Sequence, residues 1–348
     1  MFKAIVVHRR PHLDEICAIW LLRKFGEDKF PGVSEASMVF EGAGGDDLAG
    51  FSGDEYEGEG VILIGVGGGK FDEHPGVKTF GKEDECASTL VAKELGIENE
   101  PAIERILRFA KASDLKAGNQ PFDLANLVKA MHHANPDDPC LVVNWTMQGL
   151  DAKYLEQVNF LAAKGEIQNG ASLEEIQGPG RKIKLSYGVS ESEQFNSACR
   201  NQGAAVVIQK RSSGNVQIYT AKKEGLILDD VARMLRMDEQ EAKGNVVTNG
   251  WNVLANEGKV EGAEEWWFQR AGQMLLNGSL SCPNTPTHLS LEQIKDIVKI
   301  GVNPTCFETN RMEKCKKGIC TSTPGSPCPW YRYGLGRCRK IRHATAAH

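Results

Sequence analysis

A strand, a loop and a helix follow one another without a gap at the start of this chain, and that order restricts what the rest can fold into. FKAIVVH (residues 2–8) carries the β-branched run of a short buried strand, RRP breaks it, and a helical pattern then runs from Leu13 to Phe25. Further strands are predicted at SMVF (37–40) and VILI (61–64), with helices near 85–95, 102–113 and 122–133. Strands alternating with helices over roughly the first 150 residues predict an α/β fold, a mostly parallel sheet with flanking helices. Ligands of such sheets sit outside the carboxyl ends of the strands, where His8 and the glycine cluster after VILI both fall.

A longer helix is predicted at about 150–165, followed by QNGAS and QGPGR (177–181), a composition that suits a boundary. The first domain is therefore set at 1–165 and a second, α+β domain at 182–300. The second opens with a strand at KIKLSY (182–187) and an SESE capping box before a helix. It continues with a hairpin over 204–219 and a helix capped by SLEQ (290–293). No internal repeat of fixed period is present.

Beyond Gly301 periodicity gives way to a third segment, 301–348. Residues 306–348 hold nine Lys/Arg against two Glu, while the rest of the chain holds 32 against 44, so a +7 tail rides on a −12 body. Cys306, Cys315, Cys320, Cys328 and Cys338 crowd into it, whereas Cys17, Cys86, Cys140, Cys199 and Cys282 are scattered like small buried hydrophobes. No apolar run approaches the roughly 20 residues that span a bilayer, and no export leader is evident at Met1. A cytoplasmic protein with no membrane partner is expected, so the sequons at Asn144 and Asn277 carry no weight. In a reducing compartment, clustered thiols point to Zn2+ before disulfides, with Cys315, Cys320, Cys328 and Cys338 as the candidate set. An iron–sulfur cluster or free thiols are the alternatives. CPWYRYGLGRCRKIRH (328–343) interleaves aromatics with Arg and Lys, which suits single-stranded nucleic acid or a nucleotide; packing on the acidic body is the plainer alternative.

The stretch GVGGGKFDEHP (65–75) fails as a nucleotide loop. Ile64 and Phe71 stand where a Walker loop needs Gly and Ser or Thr, and Lys70 stands where the dinucleotide fingerprint needs its third Gly. Its company is more informative: His8, His12, Asp14 and Glu15 at one strand end, Asp72, Glu73 and His74 at another. Imidazole and carboxylate together suit Mn, Zn or Fe. Elsewhere, His132 and His133 end a helix and suit a structural role. WWF (266–268) suits either base stacking or a core, and Asp46 with Asp47 suits a solvated loop.

These residues resemble the DHH phosphoesterase superfamily. HRRPHLD (8–14) is similar to its HxxPDxD motif and FDEH (71–74) to its Asp-His-His motif. The likeness is closer to the MYG-type exonucleases: PHLDE (11–15) resembles their FHxDE, GVGG (65–68) their DVGG, and KFDEH (70–74) their RFDHH. ECASTLVAKELG (85–96) resembles the helix that follows, and ASD (112–114) a later metal-binding Asp; the likeness covers about residues 1–135.

The resemblance implies a metal-dependent phosphodiesterase or exonuclease with Asp14, His74 and Asp114 catalytic. His8, His12, Asp14, Asp72, Glu73 and Asp114 would hold Mn2+ or another divalent ion, and His74 with Gly67, Gly68 and Gly69 would bind phosphate. Two departures accompany it. Gly65 stands where the family has a metal-bridging Asp, and Glu73 stands at a metal-binding His. They keep a second reading open, a non-catalytic nucleotide or nucleic-acid binder on the same scaffold.

Overall fold

Strand β1 (Ala4–His8) lies between β2 (Ser37–Glu41) and β3 (Val61–Leu63), parallel to both, in a three-stranded sheet of order β2-β1-β3. The computed structural model describes residues 1–42, 53–74, 84–115, 120–250, 252–279, 282–303, 314, 317, 319–324 and 328–333. The chain divides into two compact units, Met1–Leu161 and Ala162–His348, each with a sheet of its own. Asp46 and Asp47 lie outside the described residues.

Helix α1 (Leu13–Phe25) matches the predicted span and is the centre of the first core, with every residue from Leu13 to Leu22 buried. It packs against α3 (Ala87–Leu95) and α4 (Pro101–Leu115) and meets α5 (Leu124–Ala134); a short α2 (Gly53–Gly58) precedes β3. Each fully buried Leu or Ile of such a helix is worth about 1.5–3 kcal/mol, which sets off the cost of taking Asp14 and Glu15 in with them. Helix α6 runs from Pro139 to Gly170, starting a full three turns before the predicted 150. Its Asp151 accepts from Trp20 Nε1 at 3.0 Å and Lys24 Nζ at 2.7 Å, tying α6 to the far end of α1.

The second unit holds a mixed six-stranded sheet of order β4-β5-β6-β7-β9-β8. Its strands are β4 (Ser172–Gln177), β5 (Lys182–Val189), β6 (Val206–Lys210), β7 (Val216–Thr220), β8 (Trp267–Gln269) and β9 (Met274–Leu276). Only β5 and β6 pair in parallel. The predicted hairpin is β6–β7, and Ser290 caps α9 (Leu291–Val302), accepting from Gln293 N–H at 3.2 Å.

Two readings of this region change. The segment taken as a boundary contains β4, with Gly178–Arg181 closing a hairpin to β5 through Gly178 N–H to Arg181 O at 2.9 Å. Its SLEEIQ hides the strand because only Ile176 is buried, as suits a polar sheet edge. The helix α8 (Asp229–Ala242), which follows a short α7 (Phe195–Asn201), had no prediction, because its buried face mixes Met234 and Leu235 with Arg236, Asp238 and Glu239.

The described part of the tail packs on the second unit. Cys328 and Tyr333 join its core, Tyr333 Oη donates to Asp238 Oδ2 at 2.8 Å, and Arg332 Nη2 lies 3.3 Å from Asp238 and 3.2 Å from Glu241. Cys306, Cys315, Cys338 and His343 lie outside the described residues. No helix among the described residues is long and apolar enough to cross a membrane.

Candidate metal centre

The first half of the centre is built where β1 gives way to α1. Arg9 N–H donates to Glu41 O at 2.6 Å as the strand ends, and the buried His132 of α5 holds the Pro11 carbonyl through its ring Nε2 at 3.0 Å. His12 is the N-cap of α1, and Glu15, three residues on, accepts its backbone N–H through Oε2 at 2.7 Å. Glu15 Oε1 lies 2.5 Å from His8 Nδ1. One buried carboxylate thus pins the strand end to the helix start, in a first turn where the helix dipole favours negative charge. That contact raises the His8 pKa against the opposing effect of burial. It also leaves the other ring nitrogen, Nε2, as the one outside this pairing.

The second half comes from the loop after β3. Gly65 takes the left-handed conformation at φ +62°, and a Cβ placed there would lie 2.6 Å from Glu15 Oε1. The side-chain space of position 65 is therefore filled by the Glu15 carboxylate, reaching in from α1. The sequence reading grouped Glu15 with His8, His12 and Asp14 as metal-suited residues but gave it no individual role. The signal that could have found it is its place three residues after the His12 cap, which directs its side chain back toward the end of β1.

Asp72, Glu73 and His74 offer ligand atoms within 4.8 Å of one another, and Asp72 with the glycines also organises the loop itself. Asp72 Oδ2 accepts from Gly68 N–H at 2.7 Å, and its Oδ1 accepts from His74 N–H at 3.0 Å and meets His74 Nδ1 at 2.9 Å. The expected ligand Asp72 thus organises the loop with both oxygens, and the Gly68 N–H expected to meet phosphate is already given to it. Gly67 and Gly68 turn the chain at φ 72° and 64°, and Gly69 O accepts from Asp72 N–H. Lys70 bridges Glu57 at 2.8 Å and Glu94 at 3.3 Å. The two halves meet where the His8 and His74 rings stand edge to face, 5.7 Å between centroids.

Around this junction three carboxylates converge. Asp14, Glu73 and Asp114 each offer an oxygen within 4.8 Å of the other two, and His12, Asp14 and Glu15 form a second such group that shares Asp14. Asp14 is 2% exposed, and its Oδ2 has no hydrogen-bond partner; neither does the buried Glu73 Oε2. Burial, reinforced by Glu15, Asp114 and Glu73, pushes the Asp14 pKa well above the carboxylate range. Burial likewise lifts Glu73 to about 7 and raises Asp114. Asp114 also stands in the last turn of α4, where the helix dipole disfavours an anion. Orphaned, mutually repelling oxygens are costly as they stand and fit a cation. For His74, burial opposes the charge, but the Asp72 hydrogen bond and nearby carboxylates outweigh it and raise its pKa.

Two cavities adjoin the cluster, and His12 lines both. One, of about 270 Å3, is walled by Asp14, Ser113, Asp114, Asn126 and Lys129. The other, of about 660 Å3, is walled by His8, Arg9, Arg10, His74 and Asp137.

Other candidates separate from this centre. His132 is a buried positioning residue and His133 is exposed. In WWF, Trp266 and Phe268 are core while Trp267 is 47% exposed, as strand alternation requires. Cys320 is exposed and Cys328 buried, and no cysteine joins a metal-capable group among the described residues. Glu239, Glu265 and His288 also lie within 4.8 Å of one another. There, however, Glu239 is held by Trp266 Nε1, Thr287 Oγ1 and His288, and Glu265 by Lys243, so protein donors take the place of an ion.

No family model and no curated protein matches this chain. A solved structure described as an uncharacterized protein from Helicobacter pylori G27 is similar at 10% identity and a TM-score of 0.23, over 88% of this chain and 100% of that one. A TM-score of 0.23 carries no weight for fold or site.

Proposed function

We propose that the first unit is a metal-dependent phosphoesterase that hydrolyses a phosphodiester of a nucleotide or short nucleic acid. The observation that supports it is the meeting of Asp14, Glu73 and Asp114, with buried oxygens of the first two unpartnered. An oxygen-rich set with imidazoles beside it suits a hard divalent ion of the Mn2+ class. Such an ion, when bound, stabilises charge developing on phosphoryl oxygens and eases deprotonation of water.

The chain's own residues divide the remaining work. Asp14, Glu73 and Asp114 would hold the cation, with His12 lining the cavity beside them. Glu15 fixes His8 through Nδ1 and so directs Nε2, as partners of ligating imidazoles commonly do. His74, favoured in its protonated form by Asp72, is placed beside His8 to hold a phosphate oxygen. Zn2+ on Cys315, Cys320, Cys328 and Cys338, and single-stranded nucleic acid along the basic tail, belong to the same proposal.

Metal analysis of the purified protein, followed by hydrolysis assays on short RNA and DNA oligonucleotides with added Mn2+, tests it; the same analysis reads zinc. Asp14→Ala is expected to lose the Mn2+-class ion and at least about 100-fold in rate. Equal absence of activity in wild type and Asp14→Ala across metals and substrates removes the enzyme. Binding of those oligonucleotides without cleavage would then leave the non-catalytic reading.

A further inference from the structure

The larger cavity has a chemistry of its own. Arg9, Arg10, His8, His12 and His74 line it against a single carboxylate, Asp137, whereas the neighbouring cavity carries Asp14 and Asp114. The larger cavity is thus mostly basic while the neighbouring one sets two carboxylates beside Lys129, and His12 belongs to both. A volume of about 660 Å3 falls in the range of ligand pockets.

The two arginines are held there by their backbone. Arg9 N–H is bonded to Glu41 O at 2.6 Å, and the Pro11 carbonyl is bonded to His132 at 3.0 Å. The pair therefore sits on a short segment anchored at both ends. Several basic residues of this unit are paired, Lys24 with Asp151, Lys29 with Glu94, Lys70 with Glu57, and Lys93 with Glu85, whereas Lys3, Lys111 and Lys129 are not among the described residues. Arg9 and Arg10 form no ion pair with any described residue. Arg9 and Arg10 are both exposed cations on the wall of this cavity, and unneutralised positive charge there attracts an anion.

We propose that Arg9 and Arg10 form a subsite for a phosphate monoester, the terminal phosphate of a substrate whose scissile diester lies at the carboxylate cluster. The assignment of the scissile group rests on the phosphoesterase reading; the subsite does not. A monoester phosphate carries about −1.5 to −2 charge and three acceptor oxygens at neutral pH, which matches two guanidinium forks better than a monoanionic diester does. His12, shared by the two cavities, is where the terminal group and the diester of one ligand would adjoin. The substrate class is then a short, end-phosphorylated oligonucleotide, with the phosphate on either its 5′ or its 3′ end.

Binding of one dinucleotide in three forms, 5′-phosphorylated, 3′-phosphorylated and unphosphorylated, tests this when measured calorimetrically on the full-length protein in EDTA. One terminal phosphate is expected to raise affinity about 10-fold, and the arm that does so identifies the end. Arg9→Ala/Arg10→Ala is expected to abolish the preference, while Arg9→Lys/Arg10→Lys keeps part of it; thermal midpoint and Mn2+ affinity stay unchanged in both. No preference in wild type for either end, or a preference that survives in Arg9→Ala/Arg10→Ala, overturns the proposal. A wild type that binds no Mn2+ yet shows an Arg9- and Arg10-dependent preference would bring down the phosphoesterase reading and leave the subsite standing.

Discussion

Asp14 in the first unit and Glu239 in the second are both helix carboxylates shut away from water, 2% and 0% exposed, yet their surroundings oppose each other. Glu239 accepts from Trp266 Nε1 at 2.9 Å, from Thr287 Oγ1, and from the His288 backbone and ring at 2.9 and 2.8 Å. Burial alone would raise its pKa, but these donors outweigh burial and hold it below the ordinary value. Asp14 has other acids for neighbours, an oxygen with no partner, and a pKa driven well upward. The contrast teaches that burial by itself says little about a carboxylate. A saturated one is part of the framework, and an unsaturated one among like charges calls for a cation.

The largest expected effect breaks the framework side. Glu239→Ala strands the Trp266 indole N–H, the His288 N–H and the Thr287 hydroxyl at once, and should cost about 4 kcal/mol, read as a lower urea midpoint.

Next comes a pH test of the other side. Glu73 has its folded pKa raised from 4.5 to about 7, so the folded state binds the extra proton and the stability it contributes is complete below pH 4.5. As pH rises through 7 that contribution is lost, about 3 kcal/mol in all. Metal-free wild type should therefore lose stability relative to Glu73→Gln across this window, and a parallel pH profile for the two proteins would refute the assignment. The lowered pKa of Glu239 has the opposite sign, contributing stability at neutral pH that is lost on acidification.

The smallest effect is the sharpest discriminator. Asp14→Asn should raise the stability of metal-free protein by about 1 kcal/mol, because a neutral amide avoids the cost of either protonating the carboxyl on folding or burying its charge beside Glu15, Asp114 and Glu73. Chemical denaturation in EDTA reads the gain. The same substitution should abolish any stabilisation by added Mn2+. A loss of stability comparable to that of Glu239→Ala would show Asp14 to be framework after all.

Much of the first unit was legible along the chain. The β1–α1 succession, the strands at 37–40 and 61–64 and the helix from Leu13 to Phe25 follow from short-range periodicity, which β-branching and apolar spacing make visible. In the second unit the same rule found β5, the β6–β7 hairpin and the Ser290 cap but not β4 or α8. In β4 a single residue reaches the core, and in α8 buried polar residues interrupt the apolar face. At the site, His8, His12, Asp14, Glu73 and His74 were singled out by residue type and order, and Asp114 only by the resemblance of ASD to a later motif. The Asp72–Gly68 bond and the link from Glu15 to His8 were not legible, because they depend on which N–H groups or neighbouring side chains are met.

The sequence by itself determined where the strand ends fall, that position 65 is a glycine, and that acids and histidines gather at two of those ends. Only the tertiary structure decided that the Glu15 carboxylate fills the space beside Gly65, that Asp72 turns to the loop, and that Asp14 and Glu73 keep oxygens without partners. Periodicity and capping act over a few residues. The partners of a buried oxygen are set by groups brought in from positions as far apart as 14, 73 and 114, and no local pattern encodes that meeting.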